Sequence, residues 1–159
     1  MQISNLFKIQ KNLNKKILID STLSDYKLFA RKHLQLQIKM SDLANETKCY
    51  KYWLDDDCAL NKDLIFKKYI ACFKQILSLG LDNNYDDIND VVFQPSEYCL
   101  SDQFLNLYID VNDMIISPSK DHFVTLLEDY LSLGISLGLS EQMIIDGFYE
   151  HENIEKIAL

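Results

Sequence analysis

The scarcity of chain-breaking residues is the strongest constraint on the fold of this sequence. Its 159 residues include only four glycines and two prolines, which disfavours a turn-rich β-sandwich and favours long helices joined by few loops. Apolar residues recur every three to four positions near the start, as in Leu6, Ile9 and Leu13, a spacing that predicts an amphipathic helix. We therefore predict an all-α fold, a helix bundle in which residues 1–159 form a single domain around one core.

The same periodicity, with the turn-forming residues between the apolar runs, predicts six helices. They are expected to cover a first stretch ending before Ser21, then 25 to about 53, 64–79, 101–116, 123–138, and a last stretch from Ser140. Gly80 is interpreted as the residue that ends the third helix, and Ser140 as the N-cap of the sixth. The polar stretch 81–100, which contains Pro95, is interpreted as a connector.

Charge, targeting signals and cysteine spacing narrow the classes of function. The formal net charge is −8 and Arg31 is the single arginine, which opposes general nucleic-acid binding because that affinity comes from Lys and Arg displacing counterions. The N-terminus lacks a signal-peptide core and no apolar run reaches membrane-spanning length, so we expect a cytoplasmic protein with no membrane partner. Cys49, Cys58, Cys72 and Cys99 lack metal-site spacing and are interpreted as free thiols.

Two segments carry the most specific signal in the chain. Residues 42–53 read DLANETKCYKYW, and residues 67–81 read KKYIACFKQILSLGL. Together they resemble the dimeric dUTPase family of the all-α, MazG-like NTP pyrophosphohydrolases. The resemblance implies a helix bundle that forms a homodimer, and it implies dUTP or dUMP as the ligand.

The metal-binding positions of that family are changed in this chain. One family helix carries an E-x-x-E pattern and the next an E-x-x-D pattern, so that four carboxylates hold the Mg²⁺ ions used to release pyrophosphate from dUTP. The resemblance places Lys39 and Asp42 at the first pair and Lys68 and Ala71 at the second. Asp42 and Glu46 remain as candidate metal ligands, with Glu46 also a candidate acid or base. We expect a degenerate metal site with no cofactor, in which the two lysines pair with Asp42 and Glu46.

Other residues are candidates for recognising a nucleotide. Gln10 and Asn14 offer amide hydrogen bonds to a base. Trp53 offers an aromatic surface, with Lys51 beside it in the aromatic-Lys-aromatic-Trp motif. We interpret these four residues as candidate ligand-binding residues.

Three functions remain open from the sequence alone. The leading hypothesis is a catalytically degenerate relative of the dimeric dUTPases, which acts through a protein partner or by regulatory nucleotide binding. The alternative is an active Mg²⁺-dependent pyrophosphohydrolase that uses Asp42, Glu46 and loop aspartates such as those at 55–57. The third is an acidic interaction module that binds a basic partner without any nucleotide.

Overall fold

A computed structural model describes residues 1–54 and 59–154, with side chains described as far as residue 150. Within these residues the chain forms six α-helices and no strand beyond an isolated bridge between Gln2 and Asp90. The helices are α1 (Ser4–Asn14), α2 (Asp25–Thr47), α3 (Lys62–Asp82), α4 (Leu100–Ile116), α5 (Lys120–Ser136) and α6 (Glu141–Ile154). The predicted all-α helix bundle is therefore confirmed.

Side-chain caps explain where several helices begin. The hydroxyl of Ser24 accepts a hydrogen bond from the Lys27 amide at the start of α2, and the Asn61 side chain accepts one from the Leu64 amide at the start of α3. Such caps satisfy amides that have no partner inside the helix. Ser140 accepts a hydrogen bond from the Met143 amide at 3.2 Å, as predicted for the start of α6.

Helix α3 is the centre of the bundle. Every residue from 72 to 80 is buried, and α1, α2, α5 and α6 all pack against this helix. Tyr69 of α3 and Tyr130 of α5 stack with ring centroids 4.7 Å apart. Each hydroxyl donates to the backbone carbonyl of the other residue, at 3.2 and 2.8 Å. This reciprocal pair satisfies both buried hydroxyls and joins α3 to α5.

The prediction that α2 extends to about residue 53 was wrong. The helix ends at Thr47, because Lys48 adopts a left-handed conformation with φ of 54°. The Thr47 hydroxyl donates back to the Ala44 carbonyl at 2.7 Å, a local bond that competes with the regular helical pattern. The aromatic motif at 50–53 consequently lies outside the helix.

The interpretation of Gly80 as a helix-ending residue was also wrong. Helix α3 continues to Asp82, and a Cβ added at Gly80 would lie 2.3 Å from Cζ of Phe123 on α5. A side chain at position 80 would clash with the Phe123 ring, so glycine allows the two helices to approach closely. A glycine that ends a helix looks the same in the sequence, so the local pattern could not distinguish the two roles.

The connector between α3 and α4 is held against the start of the chain. The Met1 amino group donates to the Val91 carbonyl at 2.7 Å, and the Val91 amide donates to the Met1 carbonyl at 2.9 Å. The Ile3 amide donates to the Asn89 carbonyl at 2.8 Å. These bonds fix the direction in which the following residues approach α4 and α5.

The cysteines in the described part of the chain carry free thiols. Cys49, Cys72 and Cys99 are free thiols, as predicted, whereas Cys58 lies outside the described residues. Burial raises the pKa of the Cys72 thiol to about 12.

Among the described helices, no single one combines the length and apolar character needed to cross a membrane, although α5 and α6 reach both as a pair bent by 102°.

Candidate functional site

The four positions singled out by the family resemblance meet where α2 contacts α3. Lys39 and Asp42 share one side of α2 because they are three residues apart, and Lys68 and Ala71 share one side of α3 for the same reason. Nζ of Lys68 lies 3.2 Å from Oδ2 of Asp42, and Nζ of Lys39 donates to the Ala71 carbonyl at 3.5 Å. Position 39 therefore faces 71 and position 42 faces 68, as expected for antiparallel helices.

The ion pair at this contact is partly open to solvent. The side chains of Lys68 and Asp42 are 36% and 50% exposed. Glu46 follows Asp42 by four residues on the same side of α2 and is half-buried. The sequence predicted that the two lysines pair with Asp42 and Glu46, without saying which lysine meets which acid, and the structure pairs Lys68 with Asp42. The roles of Asp42 and Glu46 as metal ligands, and of Glu46 as an acid or base, stay predictions.

An open groove of about 460 Å³ lies beside Asp42. Its other walls include Asn45 and Tyr50 from α2 and the residues that follow it, and Tyr108 from α4. The Tyr108 hydroxyl forms a short hydrogen bond with the Ser41 hydroxyl, which joins α4 to α2 at this groove. Sequence reasoning missed Tyr108, because no local pattern in α4 indicates which helix its flank will contact.

Two of the predicted nucleotide-binding residues form a buried polar chain on α1. The Gln10 side-chain amide donates to Asn14 at 2.8 Å, and Asn14 donates to the Ser78 hydroxyl of α3 at 3.0 Å. Gln10 is 6% exposed, and its Oε1 has no hydrogen-bond donor among the described residues. Ser78 lies ten residues from Lys68, or about 15 Å along α3 at roughly 1.5 Å per residue, so this chain is separate from the ion pair.

The other two predicted nucleotide-binding residues lie together on the segment after α2. Nζ of Lys51 lies 5.8 Å from the centroid of the Trp53 ring, which is 48% exposed. Tyr50 and Tyr52 contact the Trp53 ring edge to face, with centroids 6.2 and 5.2 Å from it. The structure thus brings Gln10 together with Asn14, and Lys51 together with Trp53, on different elements. Their contact with a nucleotide stays a prediction.

The acidic side chains near the ion pair do not form a ready-made cation cage. In the part of the chain that the structure describes, no three His, Cys, Asp or Glu side chains are gathered closely enough to hold a metal ion. The aspartates at 55–57, which the enzyme alternative would use, lie outside the described residues.

The described residues form an all-helical protein in which α2 and α3 lie side by side. Positions 39 and 42 of α2 face positions 71 and 68 of α3. The family model described as dUTPase matches residues 2–157, almost the whole chain. This chain belongs to that dUTPase family. No curated protein and no solved structure matches the chain significantly.

Proposed function

We propose that this member of the dUTPase family binds a nucleotide without metal-dependent hydrolysis. The observation that carries the proposal is the Lys68–Asp42 ion pair, with nitrogen and oxygen 3.2 Å apart. An ammonium group lies at the position where the resemblance expects a carboxylate to hold Mg²⁺. A cation and an ammonium group so close together would repel each other.

The charge at the four positions supports the same proposal. Two lysines, one aspartate and one alanine carry a formal net charge of +1, whereas the E-x-x-E and E-x-x-D patterns would carry four negative charges. Mg²⁺ requires oxygen ligands in near-octahedral arrangement, and Asp42 is the one carboxylate left at these positions. The residues present do not fit the family's metal ions, so no catalytic step is assigned to a metal here.

The lysines that replace the acids have a direct use in nucleotide binding. Lys39 and Lys68 can donate charge-assisted hydrogen bonds to phosphate oxygens, and each acts as a point charge. The amides of Gln10 and Asn14 on α1, or alternatively the ring of Trp53 after α2, are the candidates for base recognition. We infer dUMP or dUTP as the ligand and a regulatory role for its binding.

Hydrolysis and binding should be measured on the same sample. Pyrophosphate release from dUTP and other nucleoside triphosphates, with Mg²⁺ or Mn²⁺, is expected to be absent, while an active dimeric dUTPase tested in parallel turns over. Calorimetry in EDTA should show dUMP or dUTP binding. Lys39→Gln/Lys68→Gln should weaken it at least about tenfold, because a hydrogen bond to a charged group contributes about 1.5–3 kcal/mol. Lys8→Gln/Lys27→Gln, at exposed positions on α1 and α2, is the matched control.

Each outcome of that experiment distinguishes the hypotheses. Metal-dependent pyrophosphate release would contradict the proposal and establish the enzyme alternative. Equal weakening by the control lysines would show general charge attraction rather than a site. Absence of both turnover and nucleotide binding would reject nucleotide binding and favour a role through a protein partner.

We also propose a homodimer, which the surface of α2 and α4 supports. Leu34 and Ile38 on α2, and Leu105 and Ile109 on α4, are each more than half exposed. The α2–α4 outer face, formed by residues 34, 38, 41 and 45 of α2 and 105, 109, 112 and 116 of α4, carries no charged residue. An uncharged apolar face suits a second copy of a chain with net charge −8, because its burial brings no like charges together.

Sedimentation velocity tests the dimer and its surface together. The unmodified chain should sediment as a dimer, and Ile38→Glu/Ile109→Glu should sediment as a folded monomer, since four charges would be buried at a symmetric contact. Ile17→Glu/Leu18→Glu changes two other exposed apolar residues, which are 62% and 100% exposed, and should remain dimeric. A monomeric unmodified chain would refute the dimer.

A further inference from the structure

A second cavity lies on the opposite flank of α4 from Tyr108. It has a volume of about 630 Å³ and lies between residues 92–98 of the connector and helices α4 and α5. This volume falls within the range of small-molecule sites. The buried Gln103 side chain donates to the Tyr98 carbonyl at 2.8 Å and to the Ser136 hydroxyl at 3.0 Å. These bonds hold the connector wall against α4 and α5, so the cavity is built by the fold.

The cavity lining has a strong excess of negative charge. Glu97 from the connector and Glu128 and Asp129 from α5 contribute three carboxylates, and no lysine, arginine or histidine lines the cavity. Among the described residues, none of these three carboxylates forms an ion pair with a basic side chain. A cation entering the cavity would therefore find carboxylates that no basic side chain of the described residues already neutralises.

A further acid lies next to Asp129. Burial, and then the nearby charge of Asp129, raise the pKa of Asp110 on α4 to about 7. Asp113 on α4 raises it further, and His122 on α5 lowers it. Oδ2 of Asp110 is buried with no hydrogen-bond donor among the described residues. The two acids crowd one another across the α4–α5 contact, and a cation bound at Asp129 would relieve this repulsion.

Two aromatic residues line the cavity beside polar, uncharged side chains of the connector, α4 and α5. Phe93 and Tyr98 line the cavity from the connector, and Tyr98 is 64% exposed. A guanidinium group suits carboxylates beside aromatic rings, because its planar fork pairs with carboxylates through two hydrogen bonds and its face stacks on a ring. An ammonium ion or an inorganic cation would use the carboxylates but not the rings in this way.

We propose that this cavity binds a guanidinium group carried on an aliphatic chain, with Glu128 and Asp129 pairing with the group and the Phe93–Tyr98 wall contacting its face. The proposal concerns a different place from the α2–α3 ion pair, and it holds whether or not that region binds nucleotides. The guanidinium could belong to a free small molecule or to an arginine side chain of a protein partner.

Calorimetric or NMR titration of the full chain can test both sources. Butylguanidine, which carries a single positive charge, represents the free molecule, and N-acetyl-arginine amide, with the same charge, represents the side chain. N-acetyl-citrulline amide has nearly the same shape without the charge and is the control ligand. Both guanidinium compounds should bind, citrulline should bind at least tenfold more weakly, and the tighter of the two guanidinium compounds identifies the source.

Variants locate the binding in the cavity. Glu128→Gln/Asp129→Asn should weaken guanidinium binding tenfold or more. Asp146→Asn/Glu150→Gln removes the same charge from exposed positions on α6 and should leave binding unchanged. Tyr98→Ala should weaken binding severalfold, and because the ring is largely exposed it tests the wall without disturbing the core.

The pH dependence adds a readout that a general acidic surface would not show. Binding of butylguanidine should strengthen between pH 6 and pH 8 as Asp110, whose pKa is raised to about 7, becomes ionised beside the cavity, and this change should disappear in the Glu128→Gln/Asp129→Asn variant. Equal affinity for the citrulline compound, or equal weakening by the α6 control variant, would overturn the proposal. So would failure of both guanidinium compounds to bind a folded sample.

Discussion

A carboxylate at the α2–α3 contact lies beside a positive charge, whereas a carboxylate at the α4–α5 contact lies beside another acid. At the first, Asp42 lies 3.2 Å from the Lys68 ammonium group. At the second, Asp110 faces Asp129, and burial together with that charge raises the pKa of Asp110 to about 7. Both acids lie on a helix flank that contacts a neighbouring helix. The partner across the contact, rather than the residue type, determines whether the acid is neutralised or left to repel.

This contrast also separates the two proposed ligands. The α2–α3 positions carry net positive charge, which suits phosphate, whereas the α4–α5 cavity carries three carboxylates, which suit a cation. The net charge of the chain is −8. The negative charge that the family resemblance implies is absent at the α2–α3 positions, whereas negative charge is concentrated at the α4–α5 cavity.

The largest effect is expected when the α2–α3 contact is made as acidic as the α4–α5 cavity. Lys39→Glu/Lys68→Glu/Ala71→Asp rebuilds the four carboxylates beside one another. Without a divalent cation their repulsion should lower the thermal midpoint by several degrees. Mg²⁺ at about 100 times its Kd should stabilise the variant by about 2.7 kcal/mol, which corresponds to roughly 5–10 °C for a chain of this size. Thermal unfolding with Mg²⁺ or with EDTA measures the difference.

The control for this variant carries the same added negative charge elsewhere. Lys8→Glu/Asn12→Asp/Lys27→Glu changes exposed residues on α1 and α2 and should show no specific response to Mg²⁺. If the rebuilt variant responds no more than this control, the four positions do not form a metal site and their assignment from the family resemblance is incorrect.

Removing the crowded acid of the α4–α5 contact should have the next largest effect. The pKa of Asp110 is raised from 3.8 to about 7, so the folded chain holds a proton that the unfolded chain releases at lower pH. The stability that protonated Asp110 contributes is therefore lost as pH rises from about 4 to 7. If the whole pKa difference were converted into free energy of unfolding, the loss would be about 4 kcal/mol. Partial exposure of the side chain reduces the expected loss to roughly 2 kcal/mol.

Urea unfolding at pH 5 and pH 8 measures about 60% of that loss, because the unfolded chain already releases the proton below pH 5. The unmodified chain should be less stable at pH 8, and Asp110→Asn should remove most of the difference because the amide does not titrate. Asp121→Asn, an exposed acid in the first turn of α5, controls for the removal of one charge. A pH dependence that survives in Asp110→Asn would assign the titration to another group.

How far each region could be predicted depends on the range of its contacts. The helices follow from local periodicity, and the Lys68–Asp42 pair could be predicted because the resemblance aligned two three-residue spacings on neighbouring helices. Asp110 and Asp129 are nineteen positions apart on α4 and α5, and nothing local indicates that these two flanks meet. The end of α2 depends on the left-handed Lys48, and the role of Gly80 depends on Phe123. Such features are set by tertiary contacts, which local sequence patterns do not encode.

The smallest effect is expected from the ion pair that carries the functional proposal. Its side chains are 36% and 50% exposed, so solvent screens the attraction and a coupling energy of about 0.2–1 kcal/mol is expected. A double-mutant cycle of Lys68→Met and Asp42→Asn, followed by urea unfolding, isolates that coupling from the other contacts of each residue. It should fall further in 1 M NaCl. A coupling well above 1 kcal/mol would mean that the pair stabilises the fold, so that evolution could have retained it for stability alone. A weak coupling leaves the Lys68 ammonium group available to a phosphate, as the nucleotide-binding proposal requires.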